Sequence, residues 1–187
     1  MDTIFLSGKK ELDIYINPQR QELLRRMRIS GTPMTPKQLA DQMDISASAV
    51  QHHIKKLIGL GIVALHHTAH IHGILASYYE VLPKTVSIGC QFDDINEVQR
   101  IAFMQNELNS VFSGIADYYK NDYKNIKPDE QHGDFLSGIV YLKNDEAKEL
   151  YGIIRKFLDE HHQNKQENTV PWEYALIAYP ITEETDA

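Results

Sequence analysis

The chain of 187 residues lacks the features that mark secreted, membrane-spanning or disulfide-stapled proteins. It has a single cysteine, Cys90, which excludes an intramolecular disulfide framework. No apolar run approaches the roughly 18 residues that a membrane-spanning helix needs. The start, MDTIF, has neither the basic segment nor the long apolar segment of a secretory signal. These absences predict a cytoplasmic protein.

Common catalytic and phosphate-binding motifs are also missing. The sequence has no glycine-rich phosphate loop, no G-x-S-x-G nucleophile elbow and no H-E-x-x-H zinc motif. His161 and His162 follow Asp159 and Glu160 at the predicted end of a helix, where histidines complement the helix dipole. We therefore expect no enzymatic activity and no cofactor.

Positive charge is scarce overall and unevenly distributed. The net charge is −7, which is unusual for a protein that binds phosphate. Residues 1–85 hold ten Lys and Arg against seven Asp and Glu, a balance of +3, and six of the nine histidines. Residues 86–187 hold nine against nineteen, a balance of −10. This asymmetry predicts a first half that faces nucleic acid and an acidic second half that stays away from it.

Residues 33–65 have the pattern of a helix-turn-helix motif. The segment 35–43 has proline in its first turn and its apolar residues on one face, which predicts a short supporting helix. Ser46 can cap a second helix, and Gly59 and Gly61 can end it. The apolar stripe of this second helix comprises Val50, Ile54, Leu57 and Ile58. The opposite stripe is polar, as in a helix that enters the major groove of DNA.

The flanking segments extend the motif to a winged helix. Residues 62–68 and 74–82 are predicted strands, joined by a turn over residues 69–73, and together they form a β-hairpin or wing. Upstream, Asn17 is a predicted N-cap for a helix over residues 18–29.

This region resembles the ArsR-type winged-helix transcriptional regulators, whose pattern is LA…LGLSxSTVSxHLKxLxxAGLV followed by a hairpin ending in YYxL. The matching positions are Leu39, Ala40, Ser46, Val50, His53, Ile54, Leu57, Gly61, Ile62, Tyr78 and Tyr79. The resemblance implies a sequence-specific DNA-binding regulator, a repressor more than an activator, that binds a pseudo-palindromic operator as a homodimer. Longer members append a second small domain, and residues 142–158 and 172–180 are similar to its closing helix and strand.

The outward stripe of the second helix supplies the predicted DNA contacts. Donors of this kind pair with base edges, and glutamine pairs well with adenine. The predicted base-reading residues are Ser48, Gln51, His52 and Lys55, with Ala47 small enough for close approach. The predicted phosphate contacts are Lys37, Ser46, Lys56 and His53, together with His67, His70 and His72 of the wing. His53 can instead serve to structure the helix.

Other interpretations of the same residues stay open. The polar stripe can be a solvated helix face, and a winged helix can bind protein rather than DNA. The wing histidines can also hold zinc or nickel, which would give a metal-responsive regulator. However, no paired cysteine or nearby carboxylate accompanies them, so we expect no metal site.

The second half is predicted to be an acidic α+β module for dimerisation, and a small-molecule effector, if there is one, is expected to bind there. A long helix over residues 95–120 has apolar residues every three or four positions, as in a dimer seam. The predicted seam residues are Ile101, Leu108, Val111, Phe112 and Ile115. A strand at 135–142, a helix at 146–161 and a strand at 173–181 complete the module. The predicted fold class is therefore α+β, with a winged helix-turn-helix domain in residues 1–84 and this module in residues 85–187.

Overall fold

The computed structural model describes residues 2–71, 73–88, 96–123, 127, 131–161 and 167–181. The chain forms two compact units. One consists of Met1–Glu97 and Val140–Pro171, and the other of Val98–Ile139 and Trp172–Ala187. The division into functional domains at residue 84 stays a prediction.

The described helices and strands follow one another in a mixed α and β order. In chain order they are β1 (Thr3–Phe5), α1 (Lys9–Tyr15), α2 (Pro18–Ser30), α3 (Pro36–Met43), α4 (Ala47–Gly59), β2 (Val63–Ile71), β3 (Ile74–Val81), β4 (Thr85–Ser87), α5 (Glu97–Asn121) and α6 (Asn144–His161). The α+β class, the winged helix-turn-helix in the first half and the long helix after it are confirmed.

Side-chain caps define where the three helices of the winged helix begin. The Asn17 side chain accepts a hydrogen bond from the backbone N–H of Arg20 at 3.2 Å at the start of α2. At α3, Thr35 and Gln38 form a reciprocal capping box. The Ser46 hydroxyl accepts from the backbone N–H of Ala49 at 3.2 Å at the start of α4. Because each cap satisfies an otherwise unpaired N–H, these polar residues locate the helix starts that the sequence predicted.

The core of the first unit lies between α1, α2, α3 and α4. Its fully buried side chains are Leu12, Leu23, Leu24, Leu39, Val50, Ile54, Leu57 and Val63. The predicted inward stripe of α4 is therefore confirmed at three of its four positions. Ile58 is the exception, since its side chain is 40% exposed.

The wing is longer and its turn tighter than the sequence predicted. Strands β2 and β3 are antiparallel, and their pairing continues to Ile71 opposite Ile74. The five-residue turn predicted at 69–73 is therefore wrong, because residues 69–71 continue the ladder. Gly73 has a φ of 80°, which an L-residue rarely adopts. Backbone hydrogen bonds of 2.9 Å in both directions join Met34 to Tyr79 and anchor the wing to the segment before α3.

A β-bulge interrupts the wing between Leu65 and His67. Leu65 pairs with Tyr79 and His67 with Tyr78, so His66 is an extra residue without a cross-strand partner in the ladder. A bulge of this kind re-aims the side chains that follow it.

The N-terminus forms structure that the sequence did not predict. Strand β1 pairs in parallel with β4, with Ile4 opposite Val86, and α1 buries Leu12 and Tyr15. The residues that follow the wing are thereby held against the start of the chain.

The second half contains helices but not the predicted strands. Residues 135–142 and 173–181 are not strands, and Leu136 and Tyr141 are 89% and 94% exposed. No residue of α6 is buried. Near the end of α5, the Tyr119 hydroxyl donates to the carbonyl of Gly133 at 3.0 Å. The predicted start of the long helix at residue 95 lies outside the described residues, and none of the described helices is both long and apolar enough to cross a membrane.

The turn between α3 and α4 depends on Asp44, which has φ 53° and ψ 43°, in the left-handed region. Glycine adopts this conformation freely, whereas a β-branched residue there is strained by about 1–2 kcal/mol. Asp44→Val should therefore lower the free energy of unfolding by about that amount, and Asp44→Gly should leave it unchanged or raise it slightly. Urea unfolding measures both. Gln42→Val at an ordinary helical position is the control, with a cost of only about 0.5 kcal/mol; equal losses at 42 and 44 would contradict the prediction.

Candidate nucleic-acid interface

The polar stripe of α4 lies on the outside of the winged helix. Ser48, Gln51, His52 and Lys55 are all exposed, and Ala47 is half-buried at the helix start. Because Val50, Ile54 and Leu57 are fully buried, the rotation of α4 about its own axis is fixed. The four predicted base-reading residues therefore share one solvent-facing surface, although their contacts with DNA stay predictions.

The donors on this surface differ in whether they are already engaged. Among the described residues, Gln51, Lys55 and Lys56 have no hydrogen-bond or ion-pair partner, so their donors are available to a ligand. The Ser48 and Ser46 hydroxyl oxygens lie 3.0 Å apart, and Ser46 also caps α4.

The lysine on the supporting helix is less available for phosphate. The ammonium group of Lys37 pairs with the carboxylate of Asp41 one turn later at 2.5 Å, with both side chains largely exposed. An exposed pair of this kind is weak and exchanges readily with other partners. Lys37 therefore remains a possible phosphate contact at the cost of one surface ion pair.

His53 lies beside the polar stripe and makes a contact within the protein. Its Nε2 atom is 2.8 Å from Oε1 of Gln19 in α2, which joins two helices that are distant in sequence. Its Nδ1 atom is buried and has no hydrogen-bond partner among the described residues. Of the two roles predicted for His53, this geometry favours structuring the helix, whereas a phosphate contact would require Nε2 to leave Gln19.

The surroundings of His53 disfavour its protonated form. Burial lowers the pKa of His53, and the neighbouring Arg20 guanidinium and His52 lower it further. A proton on Nδ1 would place an N–H and a positive charge where no acceptor is present among the described residues. Neutral His53 is therefore the form that the fold stabilises.

The start of α2 also holds the end of α1. The Arg20 guanidinium donates to the carbonyl of Ile14, and the Gln21 amide donates to the carbonyl of Tyr15, each at 2.5 Å. Consecutive residues near the start of α2 therefore contact two other helices: Gln19 contacts α4, and Arg20 and Gln21 contact α1. These contacts join α4 to α2 and α2 to α1. The contact between Gln19 and His53 was not predicted, because a separation of 34 residues leaves no local pattern.

The wing histidines form a cluster that the bulge creates. The Nδ1 atoms of His66 and His67 are 2.7 Å apart, so one ring donates to the other. The His67 ring also stacks on Tyr78, with centroids 4.4 Å apart and an interplanar angle of 8°. His70 is exposed opposite Leu75, and His72 lies outside the described residues. The sequence signal for this bulge was the pair of adjacent histidines, His66 and His67, in a strand whose apolar and polar residues alternate only weakly.

Within the ranges described above, no three or more His, Cys, Asp or Glu side chains are placed to hold a metal ion. The wing also lacks fixed positive charge, since no lysine or arginine occurs between Lys56 and Lys84.

The predicted dimer seam on α5 divides into two groups. Ile101 and Phe112 are 54% and 72% exposed, whereas Leu108, Val111 and Ile115 are half-buried within the single chain. Positions 101 and 112 lie three helical turns apart on one face, so α5 has an open apolar strip beside a partly covered one. A role for these residues in dimerisation stays a prediction.

Three helices with a helix-turn-helix and a β-hairpin define a winged helix-turn-helix domain, the fold of many transcriptional regulators. The family model described as a helix-turn-helix domain matches residues 15–66, from the end of α1 into β2. No curated protein matches the chain.

Several solved structures are similar to parts of this chain. One is a possible transcriptional regulator from Methanosarcina mazei, 13% identical, covering 59% of this chain and 83% of that one, with a TM-score of 0.34. A second is NolR from Sinorhizobium fredii, which is 21% identical and covers 49% of this chain and 75% of that one, with a TM-score of 0.30. A third is a homodimeric winged helix-turn-helix DNA-binding domain from Mycobacterium bovis, a possible ArsR-family transcriptional regulator. It is 12% identical and covers 66% of this chain and 86% of that one, with a TM-score of 0.30.

The lowered pKa of His53 predicts that stability depends on pH. As pH falls, His53 takes up a proton in the unfolded chain before it does so in the folded protein, because its pKa is lower in the folded protein. Neutral His53 therefore makes its full contribution to the free energy of unfolding above the ordinary histidine pKa of 6.5, and this contribution is lost as pH falls through the pKa of the folded protein. Thermal unfolding between about pH 8 and pH 5 should therefore show a smaller decrease in Tm for His53→Gln than for the wild type.

The neighbouring exposed histidine provides the control for this experiment. His52→Gln removes an imidazole from the same helix without removing the contact to Gln19, so most of the wild-type pH dependence should remain. If wild type and His53→Gln lose Tm equally with falling pH, the proposed protonation penalty at His53 is wrong.

Proposed function

We propose that this protein is a cytoplasmic, sequence-specific DNA-binding regulator that acts as a homodimer and represses transcription by occupying its operator. The observation that carries the proposal is the outer face of α4, a helix whose rotation is fixed by its buried stripe. On this face Gln51 and Lys55 offer donors that no other described residue engages. A rigid helix with free donors on one face suits the major groove, which admits a helix and displays a distinct pattern for each base pair.

Base reading and phosphate binding would fall to different residues. Gln51 can pair with the N6 and N7 atoms of adenine, and Lys55 with the O6 and N7 atoms of guanine. Lys56 and Lys37 are placed toward the ends of the motif and would contact phosphate, which fixes the register of the protein on the duplex. Ser48 and His52 would add weaker contacts to neighbouring base edges.

Charge supports a dimer as the binding species. The first half of one chain has a balance of only +3, whereas a dimer would double the positive charge that faces the DNA. In a two-fold dimer the recognition helices would enter successive major grooves about 34–36 Å apart, on a pseudo-palindromic site. A ligand that bound the acidic half would act by changing this separation.

The exposed strip of α5 is the surface that we assign to dimerisation. Ile101 and Phe112 are apolar, exposed and on one face of a helix of 25 residues. A symmetric pairing of two such helices would bury this strip on both protomers.

Removal of both unengaged donors tests the recognition face. Gln51→Ala with Lys55→Ala should abolish the preference for the DNA upstream of the protein's own gene over scrambled DNA, because each good base pair contact contributes about 1–3 kcal/mol of discrimination. Fluorescence anisotropy across a salt series measures this preference. For the wild type, log Kd should rise linearly with log salt as counterions are released.

A lysine elsewhere on the chain controls for net charge. Lys148→Ala on α6 removes the same positive charge from an exposed site and should leave operator affinity within the error of the wild type. Unchanged operator affinity in the Gln51 and Lys55 double variant would exclude this face as the reader. Failure of the wild-type protein to bind either DNA at low salt would favour a winged helix that binds protein.

The role of the α5 strip in dimerisation can be tested by measuring the oligomeric state of variants of the protein. Ile101→Asp and Phe112→Asp should each shift the protein from dimer to monomer in sedimentation experiments, because each would bury an unpaired carboxylate in an apolar seam. Ser110→Asp lies on the opposite face of α5 and should leave the dimer intact. A dimer that withstands both seam substitutions would place the interface elsewhere.

A further inference from the structure

Two apolar segments of the second half are exposed and have no assigned role. Residues 135–142 and 173–181 belong to no sheet among the described residues. The first segment exposes six large apolar side chains and the second exposes five. Their sequences nevertheless alternate in the way that strands do, so both segments have the pattern of strands whose neighbours are missing.

Contacts with α5 hold the beginnings of the two segments side by side. The backbone N–H of Gly133 donates to the hydroxyl of Tyr118 at 3.3 Å. A methyl group on Gly114 would come within 3.1 Å of Oε2 of Glu173, so the second segment begins against Gly114. Gly114 and Tyr118 are four residues apart, which places them about 5–6 Å apart on one face of the helix. Neighbouring strands have nearly this spacing, about 4.8 Å.

We propose that a second copy of the chain completes a sheet on these segments. Residues 135–142 of one protomer pair with the same residues of its partner, antiparallel about the two-fold axis, and residues 173–181 lie on the outer side of each. The inference rests on the homodimer of the proposed function and assigns it a second interface, which adds to the α5 strip. It does not require the protein to bind DNA.

The composition of residues 135–142 fits the centre of a sheet. Successive side chains of a strand point to opposite faces, and a strand that is covered on both faces is apolar throughout. This segment has no charged residue. Its two faces would carry Phe135, Ile139 and Tyr141 on one side, and Leu136, Val140 and Leu142 on the other.

The composition of residues 173–181 fits the outside of the same sheet. Glu173 and Pro180 lie near its two ends. Charged residues and proline are typical of edge strands, because proline cannot donate a hydrogen bond to a further strand. The order of the four strands therefore follows from composition, with the two uncharged segments adjacent at the two-fold axis.

The exposed apolar area exceeds what monomers usually expose and suits a dimer. The four aromatic side chains, Phe135, Tyr141, Tyr174 and Tyr179, are 56–94% exposed. At about 150–250 Å² each, they alone leave roughly 600 Å² open to solvent, the upper end of the 300–600 Å² or so that is typical of the largest apolar patch on a monomer. The seven aliphatic side chains raise the total toward the roughly 800 Å² that each partner buries in a stable interface.

The charge of the second half favours a second copy as the occupant. Residues 86–187 have a balance of −10, which repels DNA phosphates. Two copies repel each other for the same reason, except along a strip that carries no charge, and residues 135–142 are such a strip. A second copy also supplies a strand of matching length and apolar pattern, and two pairs of strands exceed the three that an independently stable sheet needs.

Hydrogen exchange at two protein concentrations tests this pairing on the full chain. Within the described part of the chain, residues 136–142 make no hydrogen bond. Their amides should therefore exchange rapidly in a diluted, monomeric sample and at least about tenfold more slowly in the dimer, where neighbouring strands supply acceptors. The amides of α4, which are bonded within their own helix, should exchange at similar rates in both samples.

A proline substitution with a matched control tests the same pairing by affinity. Val140→Pro removes an N–H that bonds to no described residue of the single chain, so the Tm of the monomer should stay unchanged. The dissociation constant of the dimer, measured by sedimentation, should rise at least about tenfold, because two-fold symmetry removes each ladder hydrogen bond twice. Val170→Pro is the control, since Val140 and Val170 are 68% and 70% exposed and Val170 lies outside both segments; its dimer should match the wild type.

The possible outcomes separate this inference from the proposed function. A dimer that Val140→Pro leaves intact, or in which residues 136–142 exchange as fast as in the monomer, would overturn the inference and leave the homodimer in place. Slow exchange that is independent of concentration would mean that the strands pair within one chain, which also overturns it. A wild type that is monomeric at every concentration would overturn the homodimer as well, whereas loss of operator preference in a protein that passes these tests would overturn only the DNA-binding proposal.

Discussion

The rest of the structure depends on the burial of one stripe of α4. Val50, Ile54 and Leu57 have no exposed surface, and α2 and α3 pack against them. Gln51 and Lys55 lie on the side of α4 opposite this stripe. Burial of the stripe therefore exposes them to solvent without any further interaction. The same burial sets the root of the wing, since the buried residues Ile62 and Val63 follow α4 after a short turn. Apolar packing thus positions a polar surface, which is why a domain of low net charge can still present an ordered set of donors.

The polar contacts at the start of α2 add precision to this apolar arrangement. Gln19 holds the imidazole of His53, and Arg20 and Gln21 hold the last carbonyls of α1. The recognition helix is therefore tied to the helix that precedes the motif as well as to its supporting helix. A half-buried histidine in neutral form is compatible with this packing, whereas its charged form is opposed by burial and by Arg20. The same region consequently links acidity to the stability of the domain that carries the proposed interface.

The sequence was sufficient for the parts of the fold that local patterns specify. The caps at Asn17 and Ser46 and three of the four positions of the apolar stripe of α4 are determined within a few residues, and the structure has them where they were predicted. Strand β1 escaped prediction because three residues are too few to show periodicity and its partner strand is distant in sequence. The bulge at His66 escaped because one extra residue reverses the alternation on which strand prediction depends. The segments at 135–142 and 173–181 alternate as strands do, but a strand also needs a neighbouring strand, and neither segment belongs to a sheet among the described residues. Of the site residues, the exposure of the α4 stripe followed from periodicity, whereas the contact of His53 with Gln19 required the tertiary structure.

The central claim is that two copies of α4 read DNA in successive major grooves. Hydroxyl-radical and methylation-protection footprinting of the wild-type protein on the DNA upstream of its gene tests this claim most directly. The account predicts protection of two short major-groove segments whose centres lie one helical turn apart, about 10 base pairs, on a pseudo-palindromic sequence. Uniform protection without sequence preference, or no protection at low salt by a folded dimer, would contradict it.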